Sequence, residues 1–184
     1  MREALSRFVK EIKNPSDEFS PIPFWFLNDK LEKDTLRKQL EDFKEKGVNG
    51  VILHPRIGVP KELAYLSEEY FDIIKFIVET AKELNMAIVL YDEAMYPSGS
   101  AHGQVVATNP DFASIGLILT SDAESGKVIA SFEDGQYLVQ RKSGGNIRGI
   151  HFGEDDGEAN APASADILNP NAVECFIQLT HDKY

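Results

Sequence analysis

Three short apolar runs set the rhythm of the first half of the chain, and amphipathic stretches separate them. The runs are Phe24–Phe26, preceded by Pro21 and Pro23, then Gly50–His54, then Met86–Leu90. Each is too short for a helix. The β-branched Val51, Ile52, Ile88 and Val89 favour strands in the second and third. Between the first two, Leu36, Leu40 and Phe43 repeat at helical spacing from about Glu32 to Lys46, and Gly47 stops the pattern. Between the second and third, Phe71, Ile74, Val78 and Ala81 mark a helix over about Glu68–Leu84, with Ser67 as its N-cap and Asn85 as its end. Before all of these, Leu5, Phe8, Val9 and Ile12 line one face of a helix that Asn14-Pro15 ends.

Strand, helix, strand, helix, strand with uniformly apolar strands predicts parallel pairing, covered on both faces. Two architectures begin this way: a (β/α)8 barrel and a doubly wound sheet. No Gly-x-Gly-x-x-Gly follows the first strand and no Walker A pattern occurs, so neither nucleotide site is supported.

Beyond Gly103 the pattern changes. A short helix is expected within Val105–Pro110. Gly116–Thr120, Lys127–Phe132 and Gln136–Gln140 read as short strands joined by turns at 122–126 and 133–135. Residues 143–149 are glycine-rich. Residues 153–165 are poor in apolar side chains and read as a solvated, flexible loop rather than a cation site, although Glu154, Asp155 and Asp156 cluster there. Ile167-Leu168 is expected to open another strand, and Asn169-Pro170 a helix that buries Val173, Phe176, Ile177 and Thr180. The resulting division is an N-terminal helix over 1–15, the first βα units over 16–115, a small antiparallel β insertion with its acidic loop over 116–164, and a further, truncated βα unit over 165–184. The fold class expected is α/β: a partial (β/α)8, TIM-type barrel of three to four units. A whole barrel of this kind takes about 250 residues, so the chain reads as part of one.

Charge and composition narrow the partners. The 184 residues carry a net charge of −11, which disfavours nucleic acid, anionic membrane and polyanionic substrates while leaving neutral sugars unaffected. The first residues contain acids and no apolar leader segment, and no apolar run reaches the roughly 18 residues of a membrane span, so the cytoplasm is the expected location. Cys175, the single cysteine, falls in a helical apolar pattern and reads as a core thiol. No metal-ligand spacing stands out and no cofactor is expected.

Candidate chemistry gathers where the strands end. Trp25 and Asn28 accompany the first strand, His54 and Arg56 the second. Tyr91, Asp92 and Glu93 follow the third, and a breaker-rich loop carries Tyr96, Ser98 and His102. In a barrel these strand ends share one cleft. Asp92 and Glu93 are neighbours, and neighbouring side chains of a strand point to opposite faces. One acid of the pair therefore reads as facing the cleft and the other as turned into the sheet–helix layer or an ion pair. Trp25 is balanced between stacking on a ligand and the core. His102 and His151 read as loop histidines and His181 as a helix-surface one.

Pro23-Phe24-Trp25-Phe26-Leu27-Asn28, Leu53-His54-Pro55-Arg56, Tyr91-Asp92-Glu93-Ala94-Met95-Tyr96-Pro97-Ser98-Gly99 and Asp166-Ile167-Leu168-Asn169-Pro170, in that order, resemble the N-terminal part of the catalytic barrel of family 106 glycoside hydrolases, the α-L-rhamnosidases and related proteins. The resemblance runs from about residue 21 to the end and is weakest through 116–164. Met95 and His102 stand where that family usually or often has glycine. The resemblance implies hydrolysis of a terminal deoxyhexose such as rhamnose. It implies that Trp25, Asn28, His54, Arg56, Tyr91, Asp92, Glu93, Tyr96 and Ser98 bind the sugar. It places the catalytic acid and base mainly on later strands, beyond Tyr184, so that little hydrolysis is expected of this chain alone. A half barrel also leaves strand edges and an apolar interior uncovered, which points to a homodimer or a complementing second half. The alternative is a non-catalytic carbohydrate-binding or assembly module.

Overall fold

The structure, a computed structural model, describes residues 2–13, 15–150 and 161–184. The chain forms two compact units, Met1–Tyr91 and Asp92–Tyr184.

The first unit opens with α1 (Arg2–Lys13), whose Leu5, Phe8, Val9 and Ile12 are all exposed. Then come β1 (Phe24–Leu27), α2 (Lys33–Glu45), β2 (Gly50–Pro55), α3 (Glu68–Glu83) and β3 (Ala87–Leu90). The strands pair in parallel in the order β1-β2-β3, with Phe24 beside Ile52, Phe26 beside His54, and Ile52 beside Val89. Ser67 caps α3 as its sequence position predicts, its hydroxyl accepting the Tyr70 N–H at 3.2 Å. Asn85 adopts a left-handed φ of 51° and ends that helix turn.

One face of this sheet is core. Trp25, Leu27, Val51 and Leu53 are buried, as are Leu36 and Leu40 of α2 and Ile74, Ile77 and Ala81 of α3. The two helices pack against each other. The other face is open. Phe24 is 50% exposed, Phe26 47% and Val89 43%, so the expectation of strands covered on both faces fails for half of their side chains. A run that is apolar on both faces cannot tell by itself which face finds a cover.

The second unit contains β4 (Met95–Tyr96), α4 (Gln104–Thr108), β5 (Ile115–Thr120), β6 (Lys127–Ser131), β7 (Tyr137–Lys142), β8 (Arg148–Gly149) and α5 (Pro170–Leu179). The three strands expected in the insertion form an antiparallel sheet in the order β5-β7-β6. β4 pairs with β8, and Val105, Val139, Ile147, Ile150 and Phe176 are buried. Ile167-Leu168 forms no strand. The Asp166 carboxylate accepts the Leu168 N–H at 3.0 Å, its carbonyl accepts the Asn169 N–H at 3.0 Å, and both apolar side chains face solvent. A side chain that bonds its own following backbone replaces the ladder with a turn. Asn169 and Pro170 do open α5 as expected. Glu154, Asp155, Asp156 and His151 lie outside the described residues.

Candidate functional site

The open face of the parallel sheet carries the first group of candidate residues. His54 lies at its centre because strand alternation turns it away from α2 and α3. Its ring is 4.2 Å from that of Tyr91, 5.4 Å from Phe24 and 5.3 Å from Phe26, centroid to centroid. Tyr91 is held in place by its N–H, which donates to the Leu53 carbonyl at 3.2 Å. The Arg56 guanidinium sits 5.1 Å from the Phe26 ring centroid, within cation–π range. Burial pushes the His54 imidazole below its usual range, and the nearby Arg56 charge adds to the effect. His54 Nδ1 is buried without a hydrogen-bond partner among the described residues. A neutral imidazole among aromatic rings, with one unused nitrogen and an adjacent cation, suits a neutral polar ligand with an apolar face.

Trp25 takes the opposite face of β1. It is 7% exposed, its indole N–H donates to Gln39 Oε1 at 3.1 Å, and Phe43 meets it edge-on. Its place is therefore the helix-facing core. Asn28 is exposed just past β1, where its carbonyl packs on the loop after β2. A Cβ at Gly58, φ +116°, would lie 2.0 Å from that oxygen. Only glycine fits there.

The second group lies on the 92–103 loop, and its organiser is Glu93. This residue is 0% exposed. Oε1 accepts the N–H groups of Ala94 and His102 at 3.0 and 3.3 Å, and Oε2 those of Ser100 and Ala101, both at 3.0 Å. Ala101 and His102 hold left-handed φ values of 45° and 57°, which lets successive amides converge as an anion-binding nest. The anion in that nest is the chain's own carboxylate. Burial pushes the Glu93 carboxyl above its usual range, and the backbone donors pull the other way. Both oxygens are occupied and no surface is left, so the sugar-gripping role expected of Glu93 gives way to a structural one.

Asp92 diverges from its neighbour, although both lie past the end of β3 in irregular backbone rather than on a strand. Its Oδ2 lies 3.3 Å from His181 Nε2, with the two side chains about half exposed. His181 Nδ1 is 2.9 Å from the Thr180 hydroxyl, which donates its proton to the Phe176 carbonyl at 2.6 Å. His181 thus anchors the only one of the two acids that reaches solvent. Nothing in the sequence pairs positions so far apart, and the residue read simply as a helix-surface histidine. Tyr96 is exposed on β4, beside Arg148 of β8. Ser98 is exposed at a hollow of about 290 Å³ that Gly99, Ile167, Val173 and Phe176 also line. His102 is a loop histidine as expected, its Nε2 donating to the Ile150 carbonyl at 3.1 Å.

The structure therefore brings His54, Arg56 and Tyr91 together with two unforeseen partners, Phe24 and Phe26. It assigns Trp25 and Glu93 to the interior. Among the described residues no group of three or more His, Cys, Asp or Glu side chains is placed to hold a metal ion. None of the described helices is long and apolar enough to cross a membrane. Comparison with protein-family models, with curated proteins and with solved structures finds no match.

Proposed function

We propose that this chain is a carbohydrate-binding part of a (β/α)8-type barrel, similar to the α-L-rhamnosidase-like family 106 glycoside hydrolases, and that its ligand is a terminal deoxyhexose. The observation that carries the reading is the cluster of Phe24, Phe26, His54, Arg56 and Tyr91 on one open sheet face. Aromatic rings receive the apolar face and methyl group of a 6-deoxysugar. His54 and Arg56 supply hydrogen bonds to its hydroxyls. The sequential order β1-β2-β3, with the helices on one side, is how such a barrel begins.

Binding rather than cleavage is the role these residues can fill. A glycosidase needs two accessible carboxyls across the bond. Of the Asp92–Glu93 pair, Glu93 is enclosed by backbone amides and only Asp92 meets solvent. The cytoplasm is the proposed compartment, on the basis of a single cysteine and an acidic chain.

The test is titration with L-rhamnose, followed by the aromatic and imidazole resonances of the chain. We expect saturable shifts at His54 and Tyr91, weakened about tenfold or more, roughly 1.4 kcal/mol, by His54→Ala or Arg56→Ala. Absence of any sugar-dependent shift across a panel of hexoses and deoxyhexoses would overturn the proposal. Turnover of an aryl α-L-rhamnoside by the pure chain would overturn the binding-only part.

A second reading, an assembly module, is favoured by Phe24, Phe26 and Val89 standing half exposed on one face. In that case the face meets complementary strand–helix units instead of a sugar. Loss of binding to rhamnose with retention of an oligomer that Phe26→Glu dissociates would select it.

A further inference from the structure

We propose that β5 is a homodimerisation edge: in the second unit it pairs antiparallel with β5 of a second copy, with Leu117 opposite Leu117 on the two-fold axis. The surface is separate from the aromatic face above and independent of any sugar.

The backbone sets the register. In the sheet order β5-β7-β6, β5 is an edge strand. The Ser143 N–H donates to the Ser114 carbonyl at 2.8 Å on the β7 side, and the Phe132 N–H donates to the Gln136 carbonyl at 2.8 Å on the β6 side. Hydrogen-bonding direction alternates along an antiparallel strand. Both bonds therefore place Gly116, Ile118 and Thr120 toward β7. Ile115, Leu117 and Leu119 direct their N–H and C=O groups to the open edge. Among the described residues no backbone hydrogen bond from outside the sheet reaches these three.

The side chains are self-complementary in that register. Ile115, Leu117 and Leu119 are 47%, 61% and 57% exposed, all on one face. Two-fold pairing on Leu117 sets Ile115 opposite Leu119 of the second copy, Leu117 opposite Leu117, and Leu119 opposite Ile115. These are three apolar cross-strand pairs, in a contact where the same patch serves both copies.

Charge agrees with the antiparallel sense. Lys142 and Arg141 lie beside Ile115 and Gly116 at one end of β5, while Asp122 and Glu124 follow its other end. Antiparallel pairing brings the basic end of each copy alongside the acidic end of the other, twice. The opposite edge shows what protection looks like: β6 begins with Lys127 and is broken by a bulge between Val128 and Ala130. β5 has neither device, and its six residues contain no charge and no proline.

The experiment uses the whole chain. Sedimentation across the micromolar range should show a monomer–dimer equilibrium. Leu117→Lys, which sets two like charges face to face at an exposed position, should weaken it at least about tenfold, roughly 1.4 kcal/mol. Leu117→Cys in a Cys175→Ser background should oxidise to a covalent dimer, since directly opposed residues stand about 5.5 Å apart between Cα atoms, within disulfide range. Thr120→Cys, opposed to a different residue, should not. A monomer at the highest concentration overturns the proposal. So does a dimer that survives Leu117→Lys and gives no covalent product through Leu117→Cys.

Discussion

Glu93 shows how one carboxylate can shape a loop. Its four amide partners come from positions 94 and 100–102, so it ties both ends of the loop to a single point. Glu93→Gln replaces one oxygen by an NH2 group and sets donors against two backbone donors. The expected cost is about 1–3 kcal/mol, read by denaturant titration, with faster amide exchange at Ser100–His102. Unchanged exchange there contradicts the account. Gly58 is a second such point. Any Cβ collides with the Asn28 carbonyl at a positive φ, so Gly58→Ala should destabilise by about 1–3 kcal/mol through that clash and the backbone strain together. His54 carries a pH signature. Its folded-state imidazole titrates below the unfolded value of about 6.5. The stability linked to it is fully present above that value and is lost as pH falls through the folded one. Glu93, displaced upward, works in the opposite sense: its contribution is present at low pH and is lost as pH rises. Comparing unfolding of the native chain with His54→Phe between neutral and mildly acid pH isolates the histidine. The variant should lose less stability on acidification, and parallel curves would refute the assignment.

Among the elements, the parallel sheet has two unequal faces, and substitutions should register the difference. Leu53 is 2% exposed against α2 and α3, whereas Val89 on the other face is 43% exposed. Leu53→Ala should cost about 2–5 kcal/mol by leaving a cavity. Val89→Thr should stay within about 0.5 kcal/mol, as surface changes do. Equal costs in thermal or chemical unfolding would mean that the open face is covered in solution, which would itself support the assembly reading. The contrast between strand and turn at Ile167-Leu168 is of the same kind. Two apolar residues are compatible with a strand, but the Asp166 carboxylate reaches the next free N–H and wins locally.

For the whole molecule, the charge of −11 opposes self-association at neutral pH, while the exposed apolar side chains on β1, β3 and β5 are the surfaces through which the proposed association would act. Near the isoelectric point of about 4.8 the repulsion vanishes. Light scattering should therefore rise steeply as pH approaches that value. The Leu117→Lys and Phe26→Glu variants should reduce the rise, each through the surface it alters. The same charge predicts no retention on immobilised duplex DNA at physiological salt, because a phosphate lattice requires a basic face.

Periodicity by itself determined α1 to β3 of the first unit and the three strands of the insertion, which lie within a few residues of their predicted positions, whereas the two-residue strands β4 and β8 fall where a loop and a glycine-rich stretch are read. Helical spacing and short β-branched runs are local properties, so the chain displays them without its fold. Strand alternation predicts that Asp92 and Glu93 diverge, and they do, but both lie past the end of β3, where the folded-back loop rather than the pleat sets their directions. Which of the two is buried, which strand face stays open, and that His181 meets Asp92 were decided only by tertiary structure. Each depends on groups distant in sequence arriving at one place: amides of a folded-back loop around Glu93, two helices on one side of the sheet, and the end of α5 beside Asp92.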